Sequence, residues 1–204
     1  MDTPGTSQFA VAIVGGGPVG LATAVGLAQN GVPTALVARK AAYGDNRTTA
    51  LLGGSIDFLT SLQIWPGCKQ QAAALRVMRL IDDTGRLVRA PEVRLSSEEI
   101  GEETFGYNIE NRILVAALEA RASELPNLVR YDDDASTIRS GEAAVEIETG
   151  SGARISATTV GGADGRNSLA RRSAGIELRT RTLDQSAVTF NTAHSRPHDN
   201  ISTE

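Results

Sequence analysis

The sequence predicts an α/β fold: a three-layer domain around a mainly parallel sheet, followed by the beginning of a second, antiparallel sheet. Three observations predict it. An apolar, β-branched run, Phe9 to Val14, enters a glycine-rich turn and then a segment with helical apolar spacing. A second apolar run, Val32 to Val37, follows the turn residues Asn30-Gly31 and completes strand–helix–strand. From Leu75 onward the texture changes to alternation of apolar and polar residues, the period of a strand with one wet face.

The turn reads Gly15-Gly16-Gly17-Pro18-Val19-Gly20. Gly15 permits the tight turn, Gly17 lets a pyrophosphate approach the backbone, and Gly20 lets the helix pack close to the strand. Pro18 and Val19 fall in the first helical turn, where proline's missing N–H costs little. The remaining free N–H groups and the positive helix end then face an anion. The alternative is a plain strand–turn–helix connection in which the glycines serve packing alone. A dinucleotide fingerprint expects an acidic residue at the end of the second strand, for the ribose hydroxyls. This chain has Ala38 there, followed by Arg39 and Lys40. Arg39 is either a neighbour of the adenosine or a solvated surface arginine.

Asp45 to Leu51 is a polar loop running into an apolar segment. Ile56, Leu59 and Leu62 share one side of a helix over 55–62, and Trp65-Pro66-Gly67 is expected to break it. Trp65 is read as a core anchor rather than a stacking platform for a ligand. Residues 75–82 and 86–88 alternate around the turn Asp83-Thr84-Gly85, which predicts a hairpin. Ser96 to Glu103 is an acidic loop without histidine partners. Residues 111–125 form an amphipathic helix with Leu114, Leu118, Arg121 and Leu125 in one stripe, ended by Pro126-Asn127. A short strand spans 128–131, and 144–149 pairs with 153–157 across Gly150-Ser151-Gly152. Gly161 to Ser168 is a second glycine-containing turn, followed by a helix over 168–174 that stops at Gly175. Residues 186–192 alternate again and are expected to join the hairpin layer.

The chain has 204 residues, 41% of them apolar, and a formal net charge of −4. That charge gives no footprint for nucleic acid. No apolar run is long enough for a transmembrane segment, and Met1 to Gly5 lacks the regions of a signal peptide. With Cys68 as the single cysteine, no intrachain disulfide forms, and a cytoplasmic setting fits. Cys68 reads as a small buried hydrophobe rather than a nucleophile. No metal-ligand cluster and no His–Ser–Asp constellation is found, so no side chain is assigned a catalytic role. His194 and His198 are assigned to the surface.

Three stretches in this order carry a family resemblance: Gly15 to Gly20, Asp45 to Leu51, and Gly162-Ala163-Asp164-Gly165-Arg166-Asn167-Ser168 with Arg171. The chain resembles the FAD-dependent aromatic hydroxylases of the para-hydroxybenzoate hydroxylase fold. It is most similar to the branch that hydroxylates ubiquinone precursors. Residues 82–87 and 105–109 also look like that branch. The resemblance implies a Rossmann-like FAD-binding domain over 1–74 and 104–175, and part of a substrate-domain sheet over 75–103 and 176–204. It implies FAD as cofactor and NAD(P)H as electron donor, with one oxygen atom of O2 passing to a small aromatic, prenylated substrate. Peripheral association with the inner membrane or with a ubiquinone-biosynthesis complex would follow.

By the same resemblance, Arg47 reaches the FAD pyrophosphate, a role suited to a guanidinium fork. Asn111 sits where the family places an amide near the flavin, and Asp164 and Gly165 match the Asp-Gly motif that approaches FAD. The other reading of Asp164 is a helix-entry turn with Ser168 as N-cap. The family's third motif, Gly-Asp followed by Ala-Ala-His or similar, has no counterpart in these residues. The expectation is therefore a truncated monooxygenase polypeptide, inactive by itself. The alternatives are a non-catalytic nucleotide-binding fragment or a different flavin oxidoreductase of the same superfamily.

Overall fold

The computed structural model describes residues 7–40, 47–190 and 192–204. Asp45 and Asn46 of the polar loop lie outside the described residues. Strand β1 (Ser7–Val14) leads through the glycine turn into helix α1 (Pro18–Gln29) and strand β2 (Thr34–Val37). All four residues of β2 are buried, as expected of a central parallel strand covered on both faces. Next come β3 (Thr48–Leu52), α2 (Gly53–Ser61) and the single turn α3 (Trp65–Cys68). The break between these helices falls at Gln63, whose φ is 63°, rather than at Trp65-Pro66-Gly67. Pro66 lies in the first turn of α3, where it removes no helical hydrogen bond.

Strands β4 (Ala73–Leu75), β5 (Val77–Leu80) and β6 (Val93–Ser96) follow, then β7 (Gly106–Glu110), helix α4 (Asn111–Ser123) and β8 (Leu128–Tyr131). A meander of β9 (Ala135–Ser140), β10 (Val145–Thr149) and β11 (Arg154–Gly162) precedes α5 (Leu169–Ser173) and β12 (Ile201–Thr203).

The described residues divide by their contacts into two compact units, 7–40 with 114–187, and 47–113 with 188–190 and 192–204. Residues 47–74 and 104–113, grouped with the nucleotide-binding domain on sequence grounds, thus lie in the second unit. Residues 176–187, grouped with the substrate sheet, lie in the first. The reason is pairing: β7 runs antiparallel to both β3 and β4 and adds nothing to the parallel sheet.

The first unit is built on a six-stranded sheet of order β8-β2-β1-β11-β10-β9. Its first four strands are mutually parallel, and β10 and β9 run antiparallel. Ala12, Val14, Ala35, Val37, Ile147, Ile155 and Ala157 form a buried cluster on it. The register decides where the loops meet. Val14 lies opposite both Val37 and Gly162, and Val37 lies opposite Tyr131. Four parallel strands therefore end level. Hydrogen bonds carry the order one residue further: Gly15 N–H to the Val37 carbonyl (3.0 Å), Ala38 N–H to Tyr131 (3.1 Å) and Ala163 N–H to Val14 (2.7 Å).

The second unit holds two three-stranded sheets, β3-β7-β4 and β12-β5-β6. The hairpin expected around Asp83-Thr84-Gly85 has a different second strand. Residues 86–88 form none, and Leu87 and Val88 are 102% and 83% exposed. The Asp82 carboxylate accepts from the N–H of Thr84 (3.1 Å) and of Ala90 (2.9 Å), which holds 82–90 as a loop. Strand β5 pairs instead with β6, Val77 opposite Ser96. Residues 186–190 and 192 also form no strand, with Val188 and Phe190 exposed. The layer's third strand is β12, parallel to β5 with Ile201 opposite Val77. The acidic stretch after β6 is a 3₁₀ turn, Ser97–Ile100, closed by a reciprocal capping box between Ser96 and Glu99.

Candidate nucleotide-binding site

The level strand ends create a cavity of about 440 Å³, lined in part by Gly15, Gly16, Gly17, Ala38, Arg39, Glu119, Asp134, Ala163, Asp164 and Gly165. It lies at the carboxyl edge of the parallel sheet, where open α/β sheets bind ligands. Two glycines are required by backbone contact. Gly15 has φ of 118°, and a Cβ there would stand 2.2 Å from the Ala163 carbonyl oxygen. A Cβ on Gly20 would stand 2.0 Å from the Gly15 carbonyl oxygen. Gly17 is different: a Cβ there would meet no atom within 4 Å, so the position faces space rather than protein. Gly17 is also the N-cap of α1 and supplies no side-chain cap, and the first turn holds no acidic residue. Pro18 opens the helix, Val19 is exposed and Gly20 is buried. The N–H groups of this turn are available to an anion.

Across the cavity, the Asp164 carboxylate is engaged at both oxygens. Oδ1 accepts from Ser168 Oγ (2.5 Å), and Oδ2 accepts from the N–H of Leu169 (2.6 Å) and of Ala170 (3.1 Å). Ser168 caps α5 in turn, accepting from Arg171 N–H at 2.9 Å. The helix-entry reading of Asp164 thus describes its hydrogen bonds, and Asp164 and Gly165 also line the cavity. Burial pushes its carboxyl up, but the Ser168 and backbone donors together outweigh this and hold it below the usual carboxylate range. Gly165 follows with φ of 77°.

The third wall comes from the ends of β2 and β8. Arg39 pairs with Asp134 at 2.9 Å and lies 3.7 Å from Asp133, and Lys40 N–H donates to Asp132 (2.5 Å). These contacts pin the loops after the two strands together. Asp133 accepts from the N–H of Ser151, then from the Ser151 hydroxyl and the N–H of Asp134, and its carboxyl is lowered to about 2. Arg130 of β8 donates through Nη1 to Glu119 of α4 and through Nη2 to the Ala38 carbonyl (3.2 Å). The sequence reading missed Glu119 and Asp134. Glu119 had one legible signal: it stands four residues after Val115, next to the core stripe of Leu114 and Leu118 on α4.

Arg47 and Asn111 belong to the second unit, where they meet each other. Asn111 N–H donates to the Arg47 carbonyl at 3.0 Å, and Thr49 Oγ1 donates to Asn111 Oδ1 at 2.5 Å. Trp65 is buried and packs edge-on against Tyr107, with centroids 5.1 Å apart. Cys68 is fully buried and its thiol is pushed up by desolvation, the environment of an inert core thiol. His194 and His198 are exposed, their rings in edge contact at 5.9 Å. Among the described residues no helix is long and apolar enough to cross a membrane.

The chain is 29% identical over 201 residues to the ubiquinone hydroxylase UbiL of Rhodospirillum rubrum, across 95% of this chain and 46% of that protein. It is 30% identical over 190 residues to the 3-demethoxyubiquinol 3-hydroxylase of Escherichia coli, across 87% and 46% respectively. The chain thus spans about half the length of these curated relatives. Its fold is similar to the crystal structure of p-nitrophenol 4-monooxygenase PnpA from Pseudomonas putida DLL-E4, with a TM-score of 0.71 and 20% identity over 84% of this chain and 44% of that one. The FAD binding domain model matches residues 8–202, taking in the glycine turn and the Asp164 loop, and the chain belongs to that family.

Proposed function

We propose that this chain is the FAD-binding portion of a monooxygenase that hydroxylates the aromatic ring of a ubiquinone precursor, with NAD(P)H as electron donor. The observation that carries the proposal is the uncapped start of α1 at Gly17, open to a cavity at the carboxyl edge of the parallel sheet. That arrangement fits the pyrophosphate of FAD: two successive phosphates meet free N–H groups and a positive helix end, with no side chain in the way. The activities of the two hydroxylase relatives support the substrate class.

FAD supplies the redox and oxygen chemistry. The chain's own residues bind and orient. Gly15 and Gly20 hold the turn, Gly17 leaves room for phosphate, and Asp164 fixes the loop carrying Gly165 against the same cavity. Arg47 and Asn111 keep the roles implied by resemblance, as proposals that substitution tests.

The experiment is a titration of FAD into the purified protein, followed by quenching of flavin fluorescence. Saturable binding is expected. Gly17→Val should abolish it, and Arg47→Ala should weaken it by about 1.5–3 kcal/mol, the range of a charge-assisted bond. Titrations of both variants that match the wild type would place the flavin elsewhere. The reaction is read by mass spectrometry of an alkylated phenol after incubation with FAD, NADPH and O2 and the whole protein. One added oxygen on the ring is the expected product.

A further inference from the structure

The nucleotide fingerprint calls for a carboxylate at the end of β2, to accept hydrogen bonds from the ribose hydroxyls. Position 38 is alanine. The cavity nevertheless holds a carboxylate tied to that position. Glu119 of α4 lines the cavity, and its Oε2 accepts from Arg130 Nη1. The other arm of the same guanidinium, Nη2, holds the Ala38 carbonyl at 3.2 Å. Arg130 is therefore a bridge from the residue that lacks the carboxylate to one that carries it.

Three features suit Glu119 to the task. Its side chain is only 18% exposed, so its position is set by packing rather than by solvent. Among the described residues Oε1 has no hydrogen-bond partner, and a carboxylate has room for further donors beyond one guanidinium arm. The wall beside it is built of small residues: Ala38 lies so close to Gly16 that a Cβ on Gly16 would come within 2.9 Å of Ala38 Cβ. Of the other carboxylates on the cavity wall, Asp134 is 68% exposed and engaged by Arg39, and Asp164 is engaged at both oxygens.

We propose that Glu119, oriented by Arg130, accepts the ribose hydroxyls of the adenosine half of FAD in place of a carboxylate at the end of β2. The proposal rests on the FAD reading above. It makes a sequence exception at position 38 into a relocation of the same chemistry from β2 to α4.

The test is calorimetric titration of the protein with ADP and with 2′,3′-dideoxy-ADP, which differ only in the ribose hydroxyls. Wild type should prefer ADP by roughly ten- to a hundredfold, the worth of a hydrogen bond to a charged group. Glu119→Gln should reduce that preference to below about threefold and leave the affinity for the dideoxy nucleotide unchanged. A merely structural role would lower both affinities together. Glu119→Asp keeps the charge opposite Arg130 and withdraws the oxygens by one methylene; it should lose the preference as well, and serves if the glutamine variant fails to fold. Wild-type preference in the Glu119 variants, or a preference that disappears with Asp134→Asn instead, overturns the proposal. ADP binding without preference in the wild type overturns it alone; no binding of ADP or FAD overturns the FAD reading with it.

Discussion

The two units bury their sheets differently. In the first, β2 is covered on both faces, and Ile147 and Ile155 share a cluster with Val14 and Val37. In the second, the sheet of β5, β6 and β12 leaves Leu80, Val93 and Leu95 half in water. The loops that line the cavity spring from the first sheet. Their geometry is therefore held by a two-sided core and by hydrogen bonds that continue past the strand ends. Burial and hydrogen bonding are thus concentrated where the ligand is expected to be oriented.

The largest effect is expected within the glycine turn. Gly15→Val combines a positive φ with a Cβ placed 2.2 Å from a backbone oxygen, and no rotamer relieves either problem. A loss of about 3 kcal/mol or more is expected, read by urea unfolding, together with loss of FAD binding. Gly17→Val is its control. Its Cβ meets open space, so stability should change by less than about 1 kcal/mol while FAD binding disappears. Equal stabilities for the two variants would break the distinction between a glycine required by protein and one required by ligand.

Next in size is the core itself. Ile155→Ala should destabilise by about 2–5 kcal/mol, since the fully buried side chain leaves a cavity that the flanking strands cannot close. Leu80→Ala on the exposed sheet should stay below about 1 kcal/mol. A reversal of that order would mean the second sheet is the better buried of the two.

The same contrast explains what the sequence disclosed. Val11 to Val14 and Val32 to Val37 are continuous apolar runs, and both found parallel partners. A run buried on both faces leaves the chain few other places to put it. Alternation located β5 but misjudged its partner, because 86–88 and 93–96 satisfy the same period and only the second pairs. What excluded 86–88 was the Asp82 carboxylate holding the loop, a local polar effect that periodicity does not register. On the cavity wall, Gly15, Gly17 and Asp164 were legible because turn chemistry is written in adjacent residues. Glu119 was not, because its place on the cavity wall comes from α4 and β8 meeting across an 11-residue separation.

A smaller effect sharpens the reading of Asp164. Asp164→Asn removes the charge from an acceptor of three donors and should destabilise by about 1–2 kcal/mol. The sign with pH follows from its lowered carboxyl. A group depressed in the folded state stabilises fully above its unfolded value, near 4, and loses that contribution as pH falls through the depressed folded value. Asp133, lowered to about 2, acts in the same direction. Stability should therefore fall between about pH 4 and pH 2, and fall less steeply in Asp164→Asn than in wild type. Identical pH slopes would show that the Asp164 hydrogen bonds do not persist in solution.

The smallest effect is expected at Leu87. Its side chain is fully exposed, so folding removes no apolar area there, and replacing it with serine forfeits no burial. The loop around it is held by other groups: Asp82 binds the N–H of Thr84 and Ala90, and Arg89 reaches Asp83 at 3.2 Å and the Arg86 carbonyl at 3.3 Å. None of these contacts uses the leucine side chain. Leu87→Ser should therefore leave stability within about 0.5 kcal/mol of wild type and raise solubility by removing exposed apolar surface. Leu36→Ser supplies the opposing case, with a hydroxyl placed in the fully buried β2 and several kilocalories lost. A loss of 2 kcal/mol or more, roughly, in Leu87→Ser would show that this loop is covered in solution, and the contrast between a two-sided core and a half-exposed sheet would fail at the point where it is drawn most sharply.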